Sequence, residues 1–386
     1  MMKTNQNETE QYQFLKLEKK NAQKFLNFIK NNFKNESVIN NEFKILKESK
    51  YILFPLVKNA EIIESIQNLL QNKFPFEIKT RKPLRNAGYK YRTIDEALKH
   101  ELQEENLDLI PRSYDIIGDI AIIEFDKFNS RKKGHDKSLK KKIAKAITLV
   151  NNNVESVYEK TSKIKGTYRL REMKHLHGVK KTETIHKENH CYFKLDIKKT
   201  FFTPRLVFER KRISQSDISI HELIMDLFAG VGPFSIQIAK INEVVLHSFD
   251  VNPFSFDYLK ENINLNEIKG NIIPHNLDIK QLLKTSNDLG QDLKSKADRI
   301  LMNLPENSLE YLDVACFLMK PSGGILHSYQ FCEKPNPVEL AEENLKNALK
   351  DHGWVLEGLN DARIVKAFSP KKELVVLDAK IRRSEF

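Results

Sequence analysis

Cysteine is scarce in this sequence of 386 residues, which contains three cysteines, Cys191, Cys316 and Cys332. They stand far apart, form no Cys-x-x-Cys pair and have no histidine at the usual spacing of metal ligands. A disulfide framework and a structural zinc site both depend on such pairs. We therefore expect reduced cysteines, a reducing compartment and no metal site.

Long apolar runs are also missing. No stretch reaches the roughly 18 apolar residues that a membrane-spanning helix needs, so we expect no membrane partner. The first residues, MMKTNQNETEQYQ, are polar and include two glutamates, which is not typical of a signal peptide or a mitochondrial presequence. We expect a cytoplasmic protein, with the nucleus and the mitochondrial matrix as alternative compartments.

Acidic residues are outnumbered, 52 against 64 lysines and arginines, which leaves a formal net charge of +12. This excess favours an anionic partner, with nucleic acid first among the candidates. A lysine-rich proteome is the alternative explanation, because asparagine and isoleucine are abundant as well. The length suggests two or three domains, and 40% hydrophobic residues are enough to form their cores.

The most informative stretch is ELIMDLFAGVGPFSIQIAK, residues 222–240. An apolar run ends in Asp226, a turn follows with Gly230 and Gly232, and Pro233 begins an amphipathic segment. This order predicts a strand, a tight turn and a helix whose first amide groups are free for a ligand. It suits a dinucleotide-binding fold, an S-adenosylmethionine methyltransferase, or an α/β core in which the glycines only form turns.

The ends of later strands favour the methyltransferase. A second apolar run ends in Asp250, whose carboxylate could accept hydrogen bonds from a ribose diol. Asp278 follows another short strand, where such a side chain typically faces an adenine amino group. A further run ends in Asn303-Leu304-Pro305, similar to the (D/N)PP-type motif of methyltransferases that modify nitrogen atoms of bases.

Apolar periodicity and composition divide the chain into five segments. Helices are predicted at 17–33, 60–72 and 93–105, and a strand at 51–57. Two short strands are predicted around Gly118 within 113–125. We predict a disordered tail over 1–16, a small N-terminal α+β domain over 17–80, a linker over 81–105, a β-rich α+β domain over 106–213, and a Rossmann-like α/β domain over 214–386.

In the last segment, strands and helices alternate regularly, which predicts a mostly parallel sheet with its ligand at the carboxyl ends of the strands. Residues 285–295 are predicted to be a polar surface insertion, and 374–381 the final strand. The order of the strong apolar runs is the basis for this α/β assignment.

Three basic or mixed-charge stretches are candidates for contact with a substrate. A helix predicted at 131–149 carries Lys140 and Lys141. Its basic face is either exposed to solvent or binds phosphates. Residues 166–172 contain Arg169, and residues 201–210 end in Glu209 and Arg210. These two are either surface ion pairs or part of a site at the entrance of the cofactor domain.

From residue 113 to the C-terminus the chain resembles the archaeal and eukaryotic tRNA (guanine-37 N1)-methyltransferases. SYDIIGDIAIIEF, GTYRLRE, FFTPRLVFERKRI, DLFAGVGPFSI, DVNPFSFDYLKENINLN and MNLP match in order. The resemblance implies a SAM-dependent enzyme that acts as a monomer on tRNA and forms 1-methylguanosine. The N-terminal third matches loosely, so the docking of that domain on the tRNA elbow is implied in the same way.

The resemblance also assigns the site. It implies catalytic roles for Glu209, Arg169 and Asn303. It implies cofactor binding by Arg210, Asp250, Val251, Asp278, Ile279 and Asn303, to which the Gly-rich turn adds Phe228, Gly230 and Gly232. It implies substrate binding by Arg169, Phe201, Arg205 and Pro305, to which the basic helix adds Lys140 and Lys141. Two features depart from the family: Phe201 replaces a common hydroxylated aromatic, and the segment between Asp278 and Asn303 is long.

These residue types suit the chemistry. N1 of guanine carries a proton, which Glu209 would accept as general base. Arg169 would stabilise the charge that develops on O6, and Asn303 would hold the edge of a guanine unstacked from its loop. No step requires a metal.

Two other functions remain possible from the sequence. The aminocarboxypropyl transferases of the wybutosine pathway share the fold and part of the motif set, although Asn303-Leu304-Pro305 fits a methyltransferase better. A tRNA-binding or chaperone protein with a decayed catalytic domain is the alternative from another class, and the intact Glu209, Asp250 and Asn303 speak against it.

Overall fold

The computed structural model of the protein describes residues 11–34, 36–86, 88–99, 108–125 and 133–384. The chain forms two compact units, Met1–Arg92 and Thr93–Phe386. The division falls within the segment predicted as a linker.

The first unit is a four-stranded antiparallel sheet with two helices. Its order is β2-β3-β1-β4, and Leu15, Phe25, Phe54 and Ile66 belong to its buried core. Its elements are β1 (Tyr12–Glu18), α1 (Ala22–Asn32), β2 (Leu46–Lys47), β3 (Tyr51–Pro55), α2 (Ala60–Leu70) and β4 (Phe76–Arg81).

The helix predicted at 17–33 is confirmed over Ala22–Asn32, but its predicted start and the predicted disordered tail to residue 16 are wrong for the residues from Tyr12 onward. Tyr12–Glu18 is a strand that pairs with β3 on one side and β4 on the other, and Phe14 is completely buried. Residues 1–10 lie outside the described part of the chain. The strand is short and follows a polar segment, so its stability depends on two distant partners that local periodicity does not reveal. Asn59 caps α2 by accepting the N–H of Ile62, and this helix was predicted correctly.

The second unit contains a four-stranded sheet, the smaller sheet, and a seven-stranded sheet. The order of the smaller sheet is β5-β6-β7-β8, with helix α4 as the crossover between the parallel strands β6 and β7, and a separate hairpin follows it. The elements are α3 (Ile94–Leu98), β5 (Tyr114–Ile117), β6 (Ile120–Ile123), α4 (Lys133–Val150), β7 (Ser156–Lys160), β8 (Met173–Gly178), the hairpin β9 (Glu183–Glu188) and β10 (Cys191–Asp196), and α5 (Val207–Ser214). The two strands around Gly118 are confirmed, and its φ of +57° suits a glycine turn.

Two stretches of this unit, 93–105 and the one carrying Glu209, differ from the prediction. The helix predicted at 93–105 is observed over Ile94–Leu98, and the rest of that prediction falls largely on 100–107, outside the described residues. The stretch carrying Glu209 was predicted as β-rich but forms α5. Its charged sequence, VFERKRIS, has no strong helical periodicity, and packing of Ile213 into the core stabilises it instead.

The remaining chain forms a seven-stranded sheet in the order β13-β12-β11-β14-β15-β17-β16. The first five of these strands are parallel, and β17 is antiparallel to both neighbours. The elements are β11 (Leu223–Asp226), α6 (Pro233–Ile241), β12 (Val245–Asp250), α7 (Pro253–Leu265), β13 (Asn271–Asn276), α8 (Asp288–Leu293), β14 (Arg299–Met302), α9 (Leu312–Leu318), β15 (Gly324–Glu333), α10 (Pro337–Asp351), β16 (Trp354–Ala367) and β17 (Lys372–Arg383). The predicted α/β fold and mostly parallel sheet are confirmed.

Two elements of this sheet domain differ from expectation. Strand β16 was not predicted, because three register shifts interrupt its alternation and many of its residues are polar. The insertion predicted at 285–295 contains the short helix α8, which buries Leu293.

Two glycines of the smaller sheet region allow a test of backbone geometry. Gly178 has φ +82°, and a Cβ there would lie 2.0 Å from the carbonyl oxygen of Glu155. Gly166 has φ +69°, with nothing within 4 Å of the added atom. We expect Gly178→Ala to lower the free energy of unfolding by about 2–4 kcal/mol and the control Gly166→Ala by about 1 kcal/mol. Urea unfolding of both variants checks this, and equal losses would contradict the proposed steric clash.

Candidate functional site

A cavity of about 410 Å³ opens at the carboxyl ends of β11, β12 and β14. Its other wall comes from the smaller sheet and the loops around Arg169 and Phe201. Crossover connections place the ends of neighbouring parallel strands at one edge, which is where such sheets bind ligands.

The Gly-rich turn and Asp250 form one hydrogen-bonded unit. The N–H of Gly230 donates to Oδ2 of Asp250 at 2.8 Å, and the N–H of Asn252 donates to Oδ1 at 2.8 Å. Gly230 has φ +56°, a conformation that favours glycine. A carboxylate accepts about four hydrogen bonds, so Asp250 retains capacity for a diol. Burial raises the pKa of Asp250 to about 6.

Gly232 has a packing role. It does not line the cavity, and a Cβ there would lie 2.5 Å from Cδ1 of Leu259 in α7. The residue precedes α6 with φ +89°. The glycine therefore lets α6 approach α7 closely and so holds the turn in place.

A partly apolar recess adjoins Asp250. The rings of Phe228 and Tyr311 meet edge to face, with centroids 5.2 Å apart. Val251 and Ile279 also line this part, and Asp278 accepts the N–H of Lys280 at 3.0 Å. Tyr311 was not predicted from the sequence. The available signal for it was an aromatic residue shortly after Asn303-Leu304-Pro305. The recess has the shape and polarity that suit an adenine ring.

The loop bearing Arg169 meets the segment that follows β14. Nη1 of Arg169 lies 2.8 Å from Oε2 of Glu306, directly after Asn303-Leu304-Pro305. The guanidinium also lies 5.3 Å from the ring centre of Phe201, which is 38% exposed. The structure therefore brings the predicted Arg169, Phe201 and Asn303–Pro305 together at one end of the cavity.

A cluster of cations surrounds Asp115 on the opposite wall. Nε of Arg205 lies 2.7 Å, and Nζ of Lys160 3.1 Å, from its carboxylate. Lys366 of β16 also lines the cavity, and its pKa is lowered to about 8 by burial and by neighbouring cations such as Arg205. Asp115, Lys160 and Lys366 were not predicted, because they come from strands far apart in sequence. Positive charge exceeds negative charge in this cluster.

Arg210 is almost fully buried, with 2% exposure, at the back of the cavity. Its Nε and Nη2 donate to the two carboxylate oxygens of Glu188 at 2.5 and 2.9 Å, and Nη2 also donates to the carbonyl of Thr203 at 2.9 Å. Such a bidentate pair fixes the guanidinium firmly. Arg210 therefore joins the β9–β10 hairpin to α5 as well as lining the cavity.

Glu209 points the other way. It is 1% exposed and does not belong to the cavity lining. Oε2 accepts hydrogen bonds from Nη2 of Arg212 at 3.0 Å and from the hydroxyl of Tyr329 at 3.1 Å. Oε1 contacts the guanidinium of Arg363. The predicted base is thus next to the site but turned toward β15 and β16.

The predicted site residues fall into two groups. Lys140 pairs with the buried Glu159, and Lys141 is exposed to solvent. The predicted residues that do not line the cavity are Lys140, Lys141, Glu209 and Gly232. Those that do are Arg169, Phe201, Arg205, Arg210, Phe228, Gly230, Asp250, Val251, Asp278, Ile279, Asn303 and Pro305.

Comparison with known proteins identifies the family. Residues 184–356 match the TRM5/TYW2 methyltransferase domain, and residues 94–182 match the TYW2 N-terminal domain. A tRNA (guanine(37)-N(1))-methyltransferase Trm5b of Pyrococcus abyssi is 35% identical over 89% of this chain and 92% of its own. The chain belongs to the TRM5/TYW2 methyltransferase family. The resemblance noted in the sequence is confirmed.

Other members of this family show how far the likeness extends. A tRNA(Phe) (4-demethylwyosine(37)-C(7)) aminocarboxypropyltransferase of Methanocaldococcus jannaschii is 32% identical over 70% of this chain and 98% of its own. Among solved structures, the complex of aTrm5 and tRNALeu gives a TM-score of 0.65 at 29% identity, covering 95% of this chain and 99% of that one. The structure of M. jannaschii TYW2 with AdoMet gives 0.52 at 28% identity, covering 70% and 100%.

The cofactor of this family's domain is S-adenosylmethionine, and the cavity suits it. Asp250 would offer a partly buried carboxylate to the ribose hydroxyls, and Phe228, Tyr311 and Ile279 would enclose the base. Within the described residues, no helix is long and apolar enough to cross a membrane. Across the same residues, no group of three or more histidine, cysteine or acidic side chains could hold a metal ion.

Cofactor affinity should depend on the charge of Asp250. We expect Asp250→Asn to weaken S-adenosylmethionine binding about tenfold or more, because hydrogen bonds to a charged group contribute about 1.5–3 kcal/mol. In the parent protein, affinity should fall as pH decreases from 7.5 to 5, since the carboxyl with a pKa of about 6 becomes protonated and loses its acceptor capacity.

Isothermal titration calorimetry across this pH range measures both effects. Asp257→Asn, on the exposed surface of α7, is the matched control and should bind like the parent protein. An Asp250→Asn variant with the parent's pH dependence would contradict this role.

Proposed function

We propose that this protein transfers the methyl group of S-adenosylmethionine to N1 of guanosine at position 37 of tRNA, giving 1-methylguanosine and so supporting reading-frame maintenance. One observation carries the proposal: Arg169 and Asn303–Pro305 share a cavity with Asp250 and the Gly-rich turn. This arrangement supports a pocket that recognises the base at one end and binds the cofactor at the other. The likeness to Trm5b over most of both chains supports the same activity.

The roles of the residues follow from their chemistry. S-adenosylmethionine supplies an electrophilic methyl group. Arg169 stabilises negative charge on O6 of guanine, and Asn303 holds the edge of the base. Glu209 accepts the N1 proton as general base, for which Oε1 must move into the cavity and exchange the contact with Arg363 for the guanine N–H. Positioning accounts for the remainder of catalysis, since methyl transfer is a direct displacement.

The proposed macromolecular partner is tRNA, bound by a monomer. The net charge of +12 favours a polyanion. At the cavity, Tyr168 and Phe201 are more than one-third exposed and offer flat faces on which an unstacked base can lie. For the first unit we propose docking on the tRNA elbow, with the cytoplasm as compartment and the nucleus and mitochondrial matrix as alternatives.

A second candidate activity is aminocarboxypropyl transfer to a modified guanosine. The match of residues 94–182 to the TYW2 N-terminal domain is the observation that favours it. Asn303-Leu304-Pro305, set against Arg169, favours nitrogen methylation instead.

Transfer of label from S-adenosylmethionine to an unmodified tRNA transcript tests the two activities. We expect label from the methyl group to reach a transcript with G37, the product nucleoside to be 1-methylguanosine by mass spectrometry, and a G37→A transcript to remain unlabelled. Glu209→Gln should lower the rate by about 100-fold or more, the usual contribution of a general base, while S-adenosylmethionine still binds.

Other outcomes identify the alternatives. Transfer of label placed in the aminocarboxypropyl part, without methyl transfer, would establish the second activity. Tight tRNA binding with neither label transferred would make the protein a binding module. Full activity of Glu209→Gln would remove Glu209 from the mechanism.

A further inference from the structure

A row of polar side chains crosses one face of the seven-stranded sheet and ends at Glu209. Nη1 of Arg299 lies 2.9 Å from Nε2 of His327, and Nδ1 of His327 lies 2.6 Å from Oδ1 of Asp378. Arg212 bonds to both oxygens of Asp378, with 3.3 Å between Nη2 and Oδ1, and its Nη2 also donates to Glu209. Arg299, His327, Asp378 and Glu209 are all buried.

The direction of each hydrogen bond in this row follows from chemistry. A guanidinium can only donate, so Nε2 of His327 must accept from Arg299 and the ring proton lies on Nδ1. That proton is donated to Asp378. Burial lowers the pKa of His327, so the ring is neutral. Burial alone would favour a neutral Asp378, but the bonds from His327 and Arg212 outweigh it and lower the pKa of this carboxyl. The result is a fixed negative charge facing Arg212.

The two oxygens of Glu209 are held by different kinds of partner. Oε2 accepts hydrogen bonds from Arg212, which belongs to the row, and from the hydroxyl of Tyr329, a fully buried residue of β15. Oε1 contacts Arg363, whose side chain is 28% exposed and also pairs with Asp361 at 3.1 Å. Both arginines are partly exposed and contact further carboxylates, so the difference between the two oxygens lies in Tyr329, which is completely buried and cannot move away as readily as the side chain of Arg363. Oε2 is therefore the anchored oxygen and Oε1 the exchangeable one.

We propose that Asp378 is a positioning residue for methyl transfer, which aligns Arg212 so that Oε2 of Glu209 is anchored and Oε1 receives the N1 proton of guanine. The inference rests on the proposed function. The N1 proton passes to Oε1, N1 forms a bond to the methyl carbon, and the electron pair of the broken carbon–sulfur bond stays on sulfur. Arg212 contacts Asp378 and Glu209, and its Nη1 also lies 3.5 Å from Oδ2 of the partly exposed Asp361. Without the charge on Asp378, more of the guanidinium charge acts on Glu209 and makes it a weaker proton acceptor.

Single-turnover methylation of G37 tRNA by Asp378→Asn tests this role. At saturating tRNA and S-adenosylmethionine we expect the methyl-transfer rate constant to fall about tenfold or more, as for a weakened general base. The acid limb of its pH–rate profile should move to lower pH, while the affinity for S-adenosylmethionine stays within about twofold. Glu357→Gln is the matched control, since this exposed carboxylate of β16 pairs with Lys380 and Arg382 and should leave the rate within about twofold.

Results for the variants and for the parent protein can each overturn the proposal. An active parent protein with an unchanged rate and pH profile in Asp378→Asn would remove the positioning role. Parallel losses in thermal stability, cofactor affinity and rate would assign Asp378 to folding alone. If Asp378→Asn does not fold, Arg212→Lys replaces it, because one ammonium cannot reproduce the forked contact with both carboxylates. An unchanged rate in that variant would overturn the proposal as well. A parent protein without methyl transfer to G37 would instead refute the proposed function, and with it this role.

Discussion

The bonds from Gly230 and Asn252 to Asp250 are the interaction on which the site depends. The bond from Gly230 joins the turn after β11 to the end of β12, and the bond from Asn252 fixes the carboxylate locally, so the turn and the carboxylate have one relative position. The parallel order of β12, β11 and β14 then sets where Asn303 must lie. Because the sheet is rigid, three residues spread over 74 positions of the sequence form a pocket before any ligand arrives.

Buried charge is distributed around that pocket in separate networks. Arg210 is neutralised by Glu188, while Glu209 is neutralised by Arg212 and Arg363, although the two residues are adjacent in α5. Helical geometry sends neighbouring side chains to different faces, about 100° apart. One turn of α5 therefore places Arg210 in the cavity wall and Glu209 against the sheet. Only good geometry offsets the desolvation cost of a buried ion pair, and the two hydrogen bonds between Arg210 and Glu188 supply it for the cavity wall.

The fold of the sheet domain could be predicted from the sequence because each apolar run was followed by a chemically distinctive residue. Asp226, Asp250 and Asn303 each mark the end of a buried strand, and local signals are enough to find them. Tyr12–Glu18 could not be predicted in this way, since its stability comes from β3 and β4.

The same limit applies to the site: Arg169 and Asn303 lie in recognisable motifs, whereas the positions of Lys366 and Asp378 depend on strand pairing across the sheet. The orientation of Glu209 also depends on partners in β15 and β16, which no local pattern contains.

Strand β16 lies at the outer edge of the seven-stranded sheet, next to β17 alone. An edge strand offers unpaired backbone groups to other chains and is a potential starting point for aggregation. Here, register shifts at Leu356/Gly358, Leu359/Asp361 and Ile364/Lys366 interrupt the regular ladder, and charged residues occur along the strand. Both features make continuous pairing with a second sheet unfavourable. The irregularities that hid this strand in the sequence therefore also protect the protein against edge-to-edge association.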